Sequence, residues 1–303
     1  MDYIKAIADV HSISVAAENL GISQPALSAH LKKKEQELNA MIFDRSKQPL
    51  QLTEAGKAYL EYIDQSAALE RKLHQRLNDI EGLKTGKLTV GGASFINVSY
   101  LPKAVKVFSE HYPDVEIEVM DGKIPEITTA AWNGLLDVFI TPTNDDPERF
   151  HYEELLEETI CLAVPADWEI NQSLGGSQEE AKVLTKEDFQ RLCEYPFVVL
   201  NKNQDIGRRM EALFQHFGCR PERVIKAEQT LSTIAMTISG AGISLVSKDS
   251  LEHLTMPGKP ILYIAEEDFC RRKLYVAYPK SQYLSNAAAA FIDVLKGVNQ
   301  REA

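Results

Sequence analysis

The stretch SISVAAENLGISQPALSAHLKKKEQEL, Ser12–Leu38, carries two apolar patterns of helical spacing separated only by the four residues Leu20–Ser23. Ala16, Ala17 and Leu20 mark one apolar face, and Leu27, Leu31 and Leu38 mark the next, with Lys34 pointing its Cβ toward that same face. Ser12 or Ser14 can cap the first helix, Gly21 falls where a helix ends with positive φ, and Ser23 can cap the second with Pro25 in its first turn. A turn this tight, with small Ala17 facing it, lets two helices cross closely, which is the geometry of a helix-turn-helix. Working outward, Ile4, Ile7 and Ala8 give an earlier helix its apolar face. Phe43–Leu52, around Lys47, Gln48 and Pro49, reads as a two-stranded wing, and Thr53 can cap the helix that follows.

Charge divides along the chain in the way this geometry needs. The net charge is -11, yet residues 1–90 hold 12 Lys and Arg against 12 Asp and Glu, so the whole excess lies after residue 90. Lys32, Lys33, Lys34, Arg45 and Lys47 make a local basic patch, the footprint of a protein that touches DNA with one end. The 303 residues, 44% of them hydrophobic, can fill more than one ordinary core. MDYIKAIADV lacks a basic start followed by an apolar run, and no stretch approaches the ~18 apolar residues of a membrane span, so the expected location is the cytoplasm and no membrane partner is expected. Cys161, Cys193, Cys219 and Cys270 lie far apart and read as buried or idle thiols in a reducing compartment.

Downstream, Thr53 to about Leu83 reads as one long helix. Tyr59, Tyr62 or Ile63, Ser66, Leu69, Leu73, Leu77, Ile80 and Leu83 recur every three or four residues and form a narrow seam for a partner helix. From Gly86 onward short apolar strands alternate with helical patterns. The clearest strands are 87–92, 115–120, 137–141, 197–201 and 243–247, an α/β arrangement expected to have a mostly parallel sheet. The polar 167–187 stretch separates two such sequences, which predicts two subdomains with a cleft between them.

Ser12–Gly56 follows in order and spacing the pattern Ala-Ala, Leu, Ser-Gln-Pro-Ala-Leu-Ser, Glu-Leu, Phe-x-Arg, Leu-Thr-x-x-Gly, and so resembles the LysR-type transcriptional regulators. Weaker agreement at 86–92, 100–119, 133–141 and near Gly242 extends the resemblance over essentially the whole chain. It implies an α plus α/β protein: a winged helix-turn-helix DNA-binding domain at 1–57, a dimerising linker helix at 58–85 and an effector-binding domain at 86–303. The last is expected to resemble the two-subdomain periplasmic binding proteins (type 2), with subdomain I about 86–163 and 269–303 and subdomain II about 164–268. The implied partners are double-stranded promoter or operator DNA, further copies of the chain as dimer or tetramer, a small-molecule effector of unknown identity, and RNA polymerase. No other cofactor is expected. Ala29 stands where an arginine often follows the motif's second serine, so a site less dependent on guanine is expected, and Lys34 stands where leucine is usual.

The expected DNA surface comprises Ser23, Gln24, Pro25, Ser28 and His30 on the recognition helix, with Lys32 and Lys33 on its solvent side. Arg45 and Lys47 belong to the wing, and Thr53 to the start of the next helix. Gln24 can pair with an adenine edge and Pro25 can touch a thymine methyl, while lysines supply salt-sensitive affinity to phosphates. For the effector, the turns after strands offer Ser94, Phe95 and Asn97, then Asn201, Asn203 and Ile206, with Thr141 at a strand end and Thr230 at a helix start. Ser94 matches a position the family commonly uses. Enzyme motifs are missing: there is no H-E-x-x-H, G-x-S-x-G or P-loop, and Gly240-Ala-Gly242 precedes a strand where a dinucleotide fingerprint would follow one. The competing reading is a cytoplasmic small-molecule-binding or protein-interaction module with no ligand-controlled role in transcription.

Overall fold

The computed structural model describes residues 3–80, 85–265 and 267–299. The chain divides into two compact units, Met1–His74 with Asn133–Leu135, and Gln75–Trp132 with Leu136–Ala303.

In the first unit, α1 (Tyr3–Val10), α2 (Ile13–Asn19) and α3 (Gln24–Leu38) surround a core of Ile4, Ile7, Ala16, Ala17, Leu27 and Leu31, closed by Ile42 and Phe43. Ser12 caps α2 by accepting from the Val15 N–H, and Ser23 caps α3 by accepting from the Ala26 N–H, both at 3.4 Å. The turn between them needs Gly21, whose φ is +67°. The wing strands β1 (Phe43–Asp44) and β2 (Gln51–Leu52) pair antiparallel, Phe43 opposite Leu52. Thr53 then caps α4 (Glu54–Ile80), its Oγ1 accepting from the Gly56 N–H at 3.0 Å. Gly56 is required there, because a Cβ would stand 2.1 Å from the Ile42 carbonyl oxygen.

One expectation changes here. Leu38, placed on the apolar face of α3, is exposed, and the buried series is Leu27, Leu31 and Glu35. The core does not extend as far as the end of α3. What lies beside it there is the backbone of Ile42 and Phe43, whose N–H groups need an acceptor that leucine could not supply. Lys34 is half-buried, and its ammonium reaches Glu37 at 2.7 Å. Leu83 lies outside the described residues, so the seam of α4 is described up to Ile80.

The second unit continues with β3 (Gly86–Gly92), α5 (Ser94–His111), β4 (Val115–Asp121), α6 (Ile124–Trp132), β5 (Val138–Thr141) and β6 (Phe150–Val164). It goes on through α7 (Ile170–Leu174), β7 (Lys182–Val183), α8 (Lys186–Leu192), β8 (Phe197–Leu200), α9 (Asp205–Phe217), β9 (Val224–Ala227), α10 (Thr230–Ile238) and β10 (Ser244–Ser247). α11 (Lys248–Glu252), β11 (Ile261–Ile264), α12 (Glu267–Cys270), β12 (Arg271–Pro279) and α13 (Asn286–Asn299) complete it. The main sheet runs β4-β3-β5-β12-β6-β11-β7, with β10 also on β6.

The sheet is mixed, not mostly parallel. β3 pairs parallel with β4 and β5, but β12 runs antiparallel to β5 and β6, and β6 antiparallel to β10 and β11. The reason is that β6 serves both subdomains. The first part of β6 pairs with β12, and its last residues pair with β10 and β11. Two cores follow: one around Leu88, Val90, Phe108, Leu155, Leu274 and Phe291, the other around Ile160, Leu162, Phe189, Phe197, Phe214 and Ile243. The first takes Leu155 from the first part of β6 and Leu274 from β12, and the second takes Ile160 and Leu162 from the last residues of β6, so the division falls within β6. No described helix is long and apolar enough to cross a membrane.

Candidate DNA interface and candidate effector cleft

On α3, burial of Leu27, Leu31 and Glu35 turns the remaining positions outward. Ser23, Gln24, Pro25, Lys32 and Lys33 are exposed and Ser28 is half-buried, so the capped first turn and the lysines share one open surface. His30 departs from this group: it is half-buried, its ring edge-to-face with Tyr3 at 4.9 Å, which makes it a packing residue between α1 and α3. Lys47 is exposed on the wing. Thr53 is occupied as the cap of α4, with its Oγ1 also donating to the Ile42 carbonyl at 3.2 Å.

Arg45 differs from the expected free wing cation. Its Nη2 donates to Glu35 Oε2 at 2.7 Å, while Glu35 Oε1 accepts from the Ile42 N–H at 2.9 Å. Glu35 thus ties the end of α3 to the start of the wing and holds a half-exposed guanidinium in place. No sequence pattern marked Glu35, which sits between Lys34 and Gln36 in a stretch that reads as solvated. Its one signal is the i, i+4, i+8 spacing from Leu27 and Leu31.

The cleft lies between the two subdomains, a cavity of about 600 Å³. Ser94, Ile124, Asp205 and Thr230 all line it, so the starts of α5, α6, α9 and α10 converge on one space. At α5, α9 and α10 the N-cap residues Ala93, Gln204 and Gln229 make no side-chain capping bond, which leaves first-turn N–H groups available to an acceptor in the cleft. Gly207 lets α9 start close to the preceding strand, since a Cβ would stand 2.2 Å from the Asn201 carbonyl oxygen.

Of the effector residues expected from sequence, Ser94, Phe95, Asn203, Ile206 and Thr230 stand on the cleft wall. Asn97, Thr141 and Asn201 do not. Asn97 is buried beneath it, its Nδ2 donating to the Met120 carbonyl at 3.0 Å and to Asp121 Oδ1 at 2.5 Å. One turn into α5 it points down at the ends of β3 and β4, where its role is to join them. Thr141 is buried, and its hydroxyl exchanges hydrogen bonds with Thr143 at 3.2 Å. Asn201 is taken up in a turn, accepting from the Asn203 N–H at 3.3 Å.

The cleft floor was not legible from sequence. Arg272 of β12 donates from Nε to Glu158 Oε2 of β6 at 2.7 Å and from Nη1 to Asp205 Oδ2 at 3.2 Å. Glu158 Oε1 also accepts from Tyr100 at 2.5 Å, Ser247 at 2.7 Å and Ser250 at 2.8 Å. Burial pushes the Glu158 carboxyl up, but Arg272 and these three hydroxyls outweigh it and hold it below its ordinary value. Burial likewise pulls the Arg272 guanidinium down, and Glu158 and Asp205 reverse that. Burial and the Glu158 charge raise the Tyr100 phenol, which therefore stays a donor. This polar node joins α5 of one subdomain, the strands β6 and β12, and α9, β10 and α11 of the other. Cys161, Cys193 and Cys270 are buried thiols and Cys219 is half-buried.

A capped helix-turn-helix with its wing, a long helix and a two-subdomain domain built around a cleft together define a DNA-binding regulator with an effector-binding domain. Residues 1–57 match the family model for bacterial regulatory helix-turn-helix proteins of the lysR family, and residues 81–300 match that for the LysR substrate binding domain. The chain belongs to the LysR family of transcriptional regulators. It is 27% identical, over 97% of its length and 92% of the relative's, to the probable RuBisCO transcriptional regulator of Cyanidium caldarium. The crystal structure of CbnR, a LysR family transcriptional regulator, superposes with a TM-score of 0.72 at 19% identity, covering 98% of this chain and 97% of that one. Full-length CbnR complexed with its target DNA gives 0.69 at 20% identity, covering 99% and 98%.

Proposed function

We propose that this chain regulates transcription in the cytoplasm as a dimer or tetramer, setting α3 into the major groove of operator DNA and answering to a small molecule in its cleft. One observation carries the reading: the same chain presents an open, capped helix with Gln24, Pro25, Ser28, Lys32 and Lys33 on it and a 600 Å³ cleft ringed by helix starts. Gln24 and Pro25 meet base edges, whereas Lys32, Lys33 and Lys47 meet phosphates. Arg45 is positioned by Glu35 to meet a phosphate beside the wing.

Selection of sites from a random duplex pool tests the DNA half. Gln24→Ala is expected to lower affinity for the selected site by about tenfold to a hundredfold and relax the consensus at one position, consistent with ~1–3 kcal/mol per good base contact. Lys32→Ala and Lys33→Ala should weaken binding to all duplexes and flatten the salt dependence by about one unit each. An unchanged consensus in Gln24→Ala would sink the placement of α3. In a reporter strain, Ser94→Asp should abolish the effector response by placing a carboxylate where the start of α5 faces the cleft.

Self-association rests on α4. Leu69, Leu73 and Ile80 are 67%, 57% and 74% exposed in the single chain, and Tyr62 and Leu77 continue the same stripe. Over Gln75–Ile80 the chain's own downstream domain takes the other face: Gln75 Nε2 donates to the Lys87 carbonyl at 3.0 Å, and Asp79 accepts from Tyr283 and from the Asn286 N–H, both at 2.9 Å. Leu77 and Ile80 are thus left for a partner helix, and Leu69 and Leu73 extend their exposed stripe. Leu69→Glu with Leu73→Glu is expected to shift the protein to monomer in sedimentation velocity and to lower operator affinity with it.

A further inference from the structure

The charges on the wall of this cleft bear on the class of ligand it takes, an argument that rests on the cleft being the effector site. Its deepest cation, Arg272, already carries two carboxylates, Glu158 and Asp205. Asp205 in turn holds Arg209 at 3.1 Å and faces Arg208 at 3.8 Å. Asp121 is bonded to Asn97, and Glu126 accepts from the Lys123 N–H at 3.0 Å. Among the described residues, the wall groups left without an ion pair or hydrogen bond to their charged ends include the Asp145 and Glu228 carboxylates and the Lys123 ammonium. Asp145 lies in the loop after β5 and Glu228 directly before α10, so each subdomain contributes one free carboxylate.

A doubly anionic ligand would add like charge to a wall already in excess of it, where Lys123 is the one free ammonium among the described lining residues. One anionic group is nevertheless well served. The starts of α5 and α10 are uncapped and carry Ser94 and Thr230, whereas α9 already has Asp205 in its first turn. We infer that the effector is an amino-carboxylate, with its single carboxylate at the starts of α5 and α10 and its protonated amine drawn to Asp145 and Glu228.

The test uses the full chain and three matched probe pairs followed by calorimetry and thermal shift: succinate with 4-aminobutanoate, glutarate with 5-aminopentanoate, adipate with 6-aminohexanoate. In at least one pair the amino member is expected to bind and raise Tm while the dicarboxylate does not. The Asp145→Asn, Glu228→Gln double variant should weaken that binding about tenfold or more. The inference is overturned if dicarboxylates bind as well or better, if the double variant keeps its affinity for the amino member, or if no amino member binds. Dicarboxylate binding that disappears in Ser94→Asp would leave the cleft as the effector site and remove only the amine. Binding of any probe that survives Ser94→Asp would place it outside the cleft and sink both readings.

Discussion

Arg272→Met is expected to destabilise the cleft domain by about 3–5 kcal/mol, read as a fall in its unfolding transition in urea or on heating of the full chain. Glu158 is 1% exposed and Arg272 4%, so removing the guanidinium strands a carboxylate that keeps only the hydroxyls of Tyr100, Ser247 and Ser250. Asp205 loses one cation but retains Arg209. Adding Glu158→Leu to Arg272→Met should recover much of the loss, because neither buried charge is then left without its partner. The pH dependence follows with a definite sign. The Glu158 carboxyl is held below its ordinary 4.5, so its contribution is fully present above that value and is lost as pH falls through the lower value of the folded state. In Arg272→Met this acid sensitivity should shrink. A variant within about 1 kcal/mol of wild type would show that the node is dispensable for stability.

The second large effect belongs to Glu35. Glu35→Ala removes the acceptor for the Ile42 N–H and the partner of Arg45, and should lower the stability of the N-terminal unit by about 2–3 kcal/mol. Glu35→Gln keeps an acceptor at Ile42 and loses only the charge, so its cost should be smaller. Hydrogen exchange on the full chain would read this as faster exchange at Ile42 and along the wing, with α1 and α2 less affected. Operator affinity should fall with it, since Arg45 and the wing lose their fixed position relative to α3. Unchanged exchange at Ile42 in Glu35→Ala would contradict the role assigned to this carboxylate.

Legibility differed sharply between the two sites. Ser12, Gly21 and Ser23 act on neighbours within four residues, so capping and turn chemistry could be read along the chain and recur in the structure at those positions. Ser94, Phe95, Asn203, Ile206 and Thr230 were equally local, as turns between strand ends and helix starts. Asn97, Thr141 and Asn201 have the same local setting, yet their polar groups are taken up by neighbours beneath or beside the wall. His30 turned inward on Tyr3 by the same kind of packing. β6 was not seen as a strand: in FHYEELLEETICLAV charged and apolar residues mix because its first part and its last residues belong to different subdomains.

By itself, then, the sequence determined the helix-turn-helix, the apolar stripe along α4 and the family, because each depends on spacing within a few residues. Only the tertiary structure decided which polar groups face the cleft and which hold it together. Arg272 meets Glu158 across 114 positions of chain and Asp205 across 67, and no local pattern encodes a pairing at that separation. Glu35 shows the same limit at short range. Its burial comes from two backbone N–H groups beyond the end of α3 that need an acceptor, a requirement that exists only once the wing has folded back against the helix.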